Sequence, residues 1–185
     1  MNPTQLLGRG LACLPAVLVL TAAGTASPVG LTAPALPVPV VQVCTGFQTE
    51  TFAPGLNATP RQVAGRGEGE LTSCLPFGDS LPASGRVTST MSGVMTCVGG
   101  TRTRETTITW DDGGSSTLEE SGGVESPVGG RRAAVFKGKI LSGRFAGATT
   151  VTTRTLSPLP KPPCATETGL TEAAGPLTVE ITHLP

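Results

Sequence analysis

Tyrosine is absent from this chain, histidine and tryptophan occur once each, and aromatic residues make up 3% of the whole. These shortages exclude classes of function before any motif is read. The only histidine, His183, stands two residues from Pro185, so a Ser-His-Asp or Cys-His relay would run through a chain end of the kind that commonly frays. Carbohydrate modules stack sugars on exposed rings, and here Trp110 and five phenylalanines must serve core and surface together. Charge is scarce too, with 13 basic against 13 acidic residues and no block of one sign. Such a balance predicts no footprint for nucleic acid or anionic lipid. Beyond the N-terminus no run of 18 apolar residues occurs, so no stable membrane anchor is expected.

What is present first is an export signature. Residues 1–9 carry one positive charge, residues 11–20 (LACLPAVLVL) form an apolar run of signal-peptide length, and Gly24-Thr25-Ala26 supplies the small residues of a cleavage site. Cleavage after Ala26 removes Cys13 with the leader. Residues 27–40 hold Pro28, Pro34, Pro37 and Pro39, which fix φ and remove backbone donors, so this stretch reads as an extended leader. One β domain is expected over residues 41–185. Ten of the 13 basic residues are arginine, and alanine, glycine, threonine and valine abound, a bias that fits a GC-rich genome.

After Val41 nothing recurs at helical spacing, whereas Thr- and Val-rich runs alternate with Gly- and Pro-containing breaks. Leu177, Val179 and Ile181 share one face of a strand, and Ala134, Phe136, Gly138 and Ile140 share one face of another. Val87, Met91, Met95 and Cys97 have a common parity, as do Thr106, Ile108 and Trp110. Asp111-Asp112-Gly113-Gly114 tolerates the positive φ of a tight turn and predicts a hairpin joining 103–110 to 116–120. Val63, Gly65, Gly67, Gly69 and Leu71 would point three glycines inward, leaving room for a bend, a neighbour's side chain or a small ligand cavity. The fold predicted is all-β, an antiparallel meander of about eight strands closed as a barrel, with a two-sheet sandwich as the alternative.

Four cysteines remain after export, Cys44, Cys74, Cys97 and Cys164, and they imply two disulfides with three connectivities open. A hairpin turning at Asn57-Ala58-Thr59-Pro60 sets Cys44 opposite Cys74, both on the polar side of their strands. That pairing leaves Cys97 for Cys164. Zinc would need closely spaced cysteine pairs and a usable histidine, so no metal and no cofactor are expected.

The acids Asp111, Asp112, Glu119 and Glu120 are the candidates for hydrolysis, but turn chemistry accounts for the first pair and alternate strand faces for the second. Asp111 and Asp112 with neighbouring serines lack the regular oxygen spacing of a calcium loop. Arg131, Arg132, Lys137 and Lys139 read as a basic stripe protecting a strand. Ser157 to Cys164 (SPLPKPPC) is the one segment stiff enough to suggest a protease-inhibitor loop carrying Lys161, although Pro162 opposes cleavage-like binding.

Cys44-Thr45-Gly46, Pro54-Gly55-Leu56, Cys74, Cys97, Trp110-Asp111-Asp112-Gly113, Gly143-Arg144-Phe145-Ala146-Gly147 and Cys164 together resemble a set of small exported actinobacterial β-rich proteins of unknown function. The resemblance spans about residues 43–182. It implies a secreted β-rich domain and carries over no site residues. The function expected is that of a secreted, non-catalytic and monomeric protein, extracellular or wall-associated, with a structural or binding role toward an extracellular ligand or protein. The runner-up is a barrel that carries a small apolar ligand lined by Met91, Met95, Phe136 and Trp110. An extracellular hydrolase and a protease inhibitor are the remaining alternatives.

Overall fold

Alternation of side chains along eight strands, each paired with the next, closes this chain on itself. The structure, a computed structural model, describes residues 40–76, 81–128, 131–156 and 164–183. The strands are β1 (Val40–Leu56), β2 (Arg61–Leu75), β3 (Gly85–Met95), β4 (Gly100–Trp110), β5 (Ser115–Val128), β6 (Arg131–Gly143), β7 (Thr149–Leu156) and β8 (Leu170–His183). Their order is β1-β2-β3-β4-β5-β6-β7-β8, and β8 pairs antiparallel with β1 to complete a barrel. The barrel and not the sandwich is therefore the architecture, and among the described residues closure leaves no unpaired strand edge. The proposed signal peptide, residues 27–39 of the leader and residues 157–163 of the Lys161 segment lie outside the described residues, while Val40, read as the last residue of the leader, begins β1.

Turn chemistry explains the tight connections. Trp110 N donates to Gly114 O at 2.8 Å, Gly113 takes φ 84°, and Asp112 Oδ1 accepts from Gly114 N at 2.9 Å. The β1–β2 turn is held by Asn57 Oδ1, which accepts from Thr59 N at 2.9 Å. β4 and β5 pair from Thr109↔Ser115 to Thr101↔Gly123, which is the predicted hairpin extended by several residues.

Two apolar clusters occupy the barrel interior. One contains Cys44, Leu71, Cys74, Val87, Ile108, Trp110, Leu118, Ile140, Ala148, Leu177, Val179 and Ile181. Trp110 anchors it: Nε1 donates to Ser116 Oγ at 2.9 Å, and the ring meets Phe145 edge-on at 5.8 Å between centroids. The other cluster joins Phe52, Leu56, Val63, Met91, Met95 and Cys97 with Cys164, Leu170 and Ala173.

Both disulfides form as read, Cys44–Cys74 and Cys97–Cys164. The face of the first is corrected: Cys44 and Cys74 are fully buried in the apolar cluster, not on the polar side. On β1 the inward residues are even-numbered, so Cys44 follows Gln42, Gln48 and Glu50 into the interior. On β2 the pairing shifts between Thr45↔Ser73 and Gly46↔Leu71. Thr72 is the extra residue, and this bulge turns Cys74 inward after Leu71.

Gly67 answers the question raised by the glycine strand. A Cβ there would lie 2.5 Å from Ser89 Oγ and 2.6 Å from Gln48 Nε2, so the missing side chain is the space those two groups occupy. Gly67→Ala is expected to destabilise the barrel by about 1–3 kcal/mol through overpacking. Thermal denaturation checks this, and an unchanged midpoint would show that the interior has slack at this level.

Candidate functional site

The interior also holds charge. Glu50, Arg102, Arg104, Glu120 and Arg154 are all buried, together with Gln48, Ser89, Thr106, Thr150 and Thr152. Each arrives there by strand parity. Arg102, Arg104 and Thr106 continue the face of Ile108 and Trp110 on β4, and Arg154 continues Thr150 and Thr152 on β7. On β1, Gln48 and Glu50 precede Phe52, and on β5, Glu120 follows Leu118.

Glu50 is the hub. Its Oε2 lies 3.4 Å from Arg102 Nη2 and in ion-pair contact with Arg154 Nη1, while its Oε1 is 3.8 Å from Arg104 Nη1. Arg104 reaches the second carboxylate as well, with Nε 3.9 Å from Glu120 Oε2, and donates from Nη2 to Gln48 Oε1 at 3.0 Å. Glu120 accepts from three hydroxyls, Thr106 at 3.2 Å, Thr150 at 3.3 Å and Thr152 at 2.6 Å. Arg154 Nη2 donates to the Ala173 carbonyl at 2.6 Å. Phe136 floors the layer, with the Arg102 and Arg104 guanidinium carbons 4.7 and 5.3 Å from its ring centre.

Among the described residues this layer contains three guanidinium groups and two carboxylates. Donors are left over: Arg102 Nε, Arg104 Nε and Nη1, and Arg154 Nε are buried without a hydrogen-bond partner, against the single carboxylate oxygen Glu50 Oε1, which lies 3.8 Å from Arg104 Nη1. Burial pushes the Arg102 and Arg154 pKa values below the usual arginine range. Glu50 opposes that shift, and the neighbouring guanidiniums reinforce it. Arginine still remains charged, so the excess is a real local positive charge.

The residues singled out as a ligand lining are placed apart. Met91 and Met95 belong to one apolar cluster and Trp110 to the other, while Phe136 underlies the charged layer. Met95 touches that layer through Sδ, 3.5 Å from Arg102 Nη1. Asp111 and Asp112 work as structural acceptors: Asp111 Oδ2 receives Ala83 N, Ser84 N and the Ser84 hydroxyl, and Asp112 pairs with Arg144. Glu119 is exposed and Glu120 buried, on opposite faces as alternation requires. Lys137 and Lys139 are exposed on β6, and the side chains of Arg131, Arg132 and His183 lie outside the described residues.

Sequence reasoning missed Glu50, Arg102, Arg104 and Arg154 although a signal existed, and singled out Glu120 only as one of a pair on alternate strand faces. The even-numbered face that includes Thr106, Ile108 and Trp110 leads directly back to Arg104 and Arg102. No family model matches the chain, and neither a curated protein nor a solved structure matches it.

Proposed function

We propose that the chain is an exported, non-catalytic barrel that binds a small ligand in its interior. The observation that carries this is the incompletely compensated charged layer inside a closed sheet. Burying guanidinium and carboxylate groups costs several kcal/mol each, and well-packed hydrocarbon of similar volume is often as stable or more so. A chain that nevertheless fills its waist with Arg102, Arg104, Arg154, Glu50 and Glu120 breaks the local rule of an apolar interior, and such breaks cluster at functional sites.

Other features agree. Two disulfides suit an oxidising compartment. The outer face carries Arg66, Glu68, Glu70, Arg86, Glu105, Glu119, Lys137 and Lys139 among exposed threonines, where a lipid-facing barrel displays an apolar band. A second reading, carriage of a small apolar molecule, is favoured by Met91 and Met95 standing with Phe52, Leu56 and Val63 beside the charged layer.

Native mass spectrometry of the protein recovered from culture supernatant tests the proposal. The expected result is residues 27–185 with both disulfides intact and one small molecule bound. A polypeptide retained in the cells with residues 1–26 attached would overturn export, and a ligand-free barrel under gentle ionisation would overturn binding.

A further inference from the structure

We propose that the buried guanidinium layer is a receptor for one small monocarboxylate, which supplies the acceptor that Arg102, Arg104 and Arg154 lack. This deepens the reading of the barrel as a binding protein and rests on it. Three cations face two anions in the layer, so one negative charge is missing. The deficit is also one of hydrogen bonds, because four guanidinium nitrogens, Arg102 Nε, Arg104 Nε and Nη1 and Arg154 Nε, are without acceptors while one carboxylate oxygen is without a donor. A neutral polar ligand would satisfy donors and leave the charge; a bare cation would worsen it. A planar carboxylate answers both, since its two oxygens match the fork of a guanidinium.

The surroundings fix the charge and the kind of substituent. Glu120 already accepts from Thr106, Thr150 and Thr152, and so is held in place without needing a further donor. Glu50 is shared by all three arginines, which prevents any one of them from being neutralised alone. The Arg102 and Arg104 cations lie over Phe136, and Arg102 adjoins Met95, so an alkyl substituent on the carboxylate would meet apolar neighbours.

Gln48 offers a switch. Its Oε1 accepts from Arg104 Nη2 at 3.0 Å and its Nε2 donates to Ser89 Oγ at 3.3 Å. Gln48→Glu keeps the shape and adds the missing charge inside the layer. The experiment is thermal denaturation of the full exported protein in low-salt zwitterionic buffer, titrated in parallel with sodium formate, sodium hexanoate, sodium chloride and hexanol. The wild type is expected to rise by roughly 3–5 °C for each tenfold increase in a carboxylate above its dissociation constant, as one-site linkage requires. The Gln48→Glu protein is expected to melt higher than wild type without added anion and to lose that rise, its remaining response being the common effect of ionic strength.

The source of the carboxylate is separated by the arms: equal effects of formate and hexanoate point to a free small acid, and a larger effect of hexanoate to an acid with an apolar tail. Chloride acting as well as formate would overturn the carboxylate assignment. Hexanol acting as well as hexanoate would overturn the anion site while leaving a binding barrel in place. No response of the wild type to any of the four would overturn the inference, and with a ligand-free native mass it would overturn the binding function as well. Exposed Arg66 on the outer face provides the control, because Arg66→Gln is expected to leave the carboxylate response unchanged.

Discussion

Glu50→Gln is expected to lower the stability of the barrel by about 3–5 kcal/mol, the usual consequence of removing one partner from a buried ion network. The substitution preserves volume, so packing is not the cause. It leaves Arg102, Arg104 and Arg154 facing a single carboxylate, that of Glu120, which lies beside Arg104. Three cations inside a closed sheet repel one another in a medium that screens poorly. Glu120→Gln is expected to cost less, since among the described residues only Arg104 lies within ion-pair reach and three threonine hydroxyls can adapt to an amide oxygen. Urea denaturation followed by Trp110 fluorescence checks both, because Trp110 is the only tryptophan and is buried. A loss under about 1 kcal/mol for Glu50→Gln, the range of exposed pairs, would show that water reaches the layer freely.

Removing the second disulfide through Cys97→Ser with Cys164→Ser is expected to cost about 4 kcal/mol in the chain-entropy picture, a large share of the roughly 5–15 kcal/mol that holds an ordinary domain together. Its partners are 67 residues apart, against 30 for Cys44–Cys74. Position separates them further. Cys44 and Cys74 are already opposite each other in the β1–β2 ladder, so their bridge reinforces contacts that hydrogen bonds make anyway. Cys97 follows β3 and Cys164 precedes β8, strands that are not neighbours in the barrel. Cutting this bridge loosens Met95, Leu56 and Leu170 in the apolar cluster that contains it. Equilibrium unfolding of the two double-serine proteins is expected to rank the Cys97–Cys164 loss as the larger, and equal losses would show that loop length and position matter little here.

Much of this architecture was legible because period-two alternation is a strong signal wherever one face is apolar. Leu177, Val179 and Ile181, the Ala134–Ile140 face and the turn at Asp111–Gly114 appear as read, and so do both disulfide pairings. The side on which Cys74 falls was not legible, because the one-residue bulge at Thr72 inverts parity without altering composition. The charged layer was hidden for a different reason. Arg104 and Glu120 look like solvent-facing residues one by one, since isolated charges seldom enter a core. Arg104 and Glu120 already face each other across the β4–β5 pair, but only closure of β8 onto β1 brings Glu50 and Arg154 to them. The glycines at 65, 67 and 69 carried part of the message: they face inward, and at Gly67 the space is taken by Gln48, which holds Arg104.

The presence of charge within the barrel is open to one direct measurement, a proton–nitrogen correlation spectrum of the arginine Nε–H groups recorded during exchange into deuterated water. Arg102, Arg104 and Arg154 are expected to give separate, shifted signals that persist long after those of exposed Arg66 and Arg86 have vanished. Loss of all arginine signals together, at the rate of the exposed pair, would contradict a guanidinium layer sealed inside the barrel.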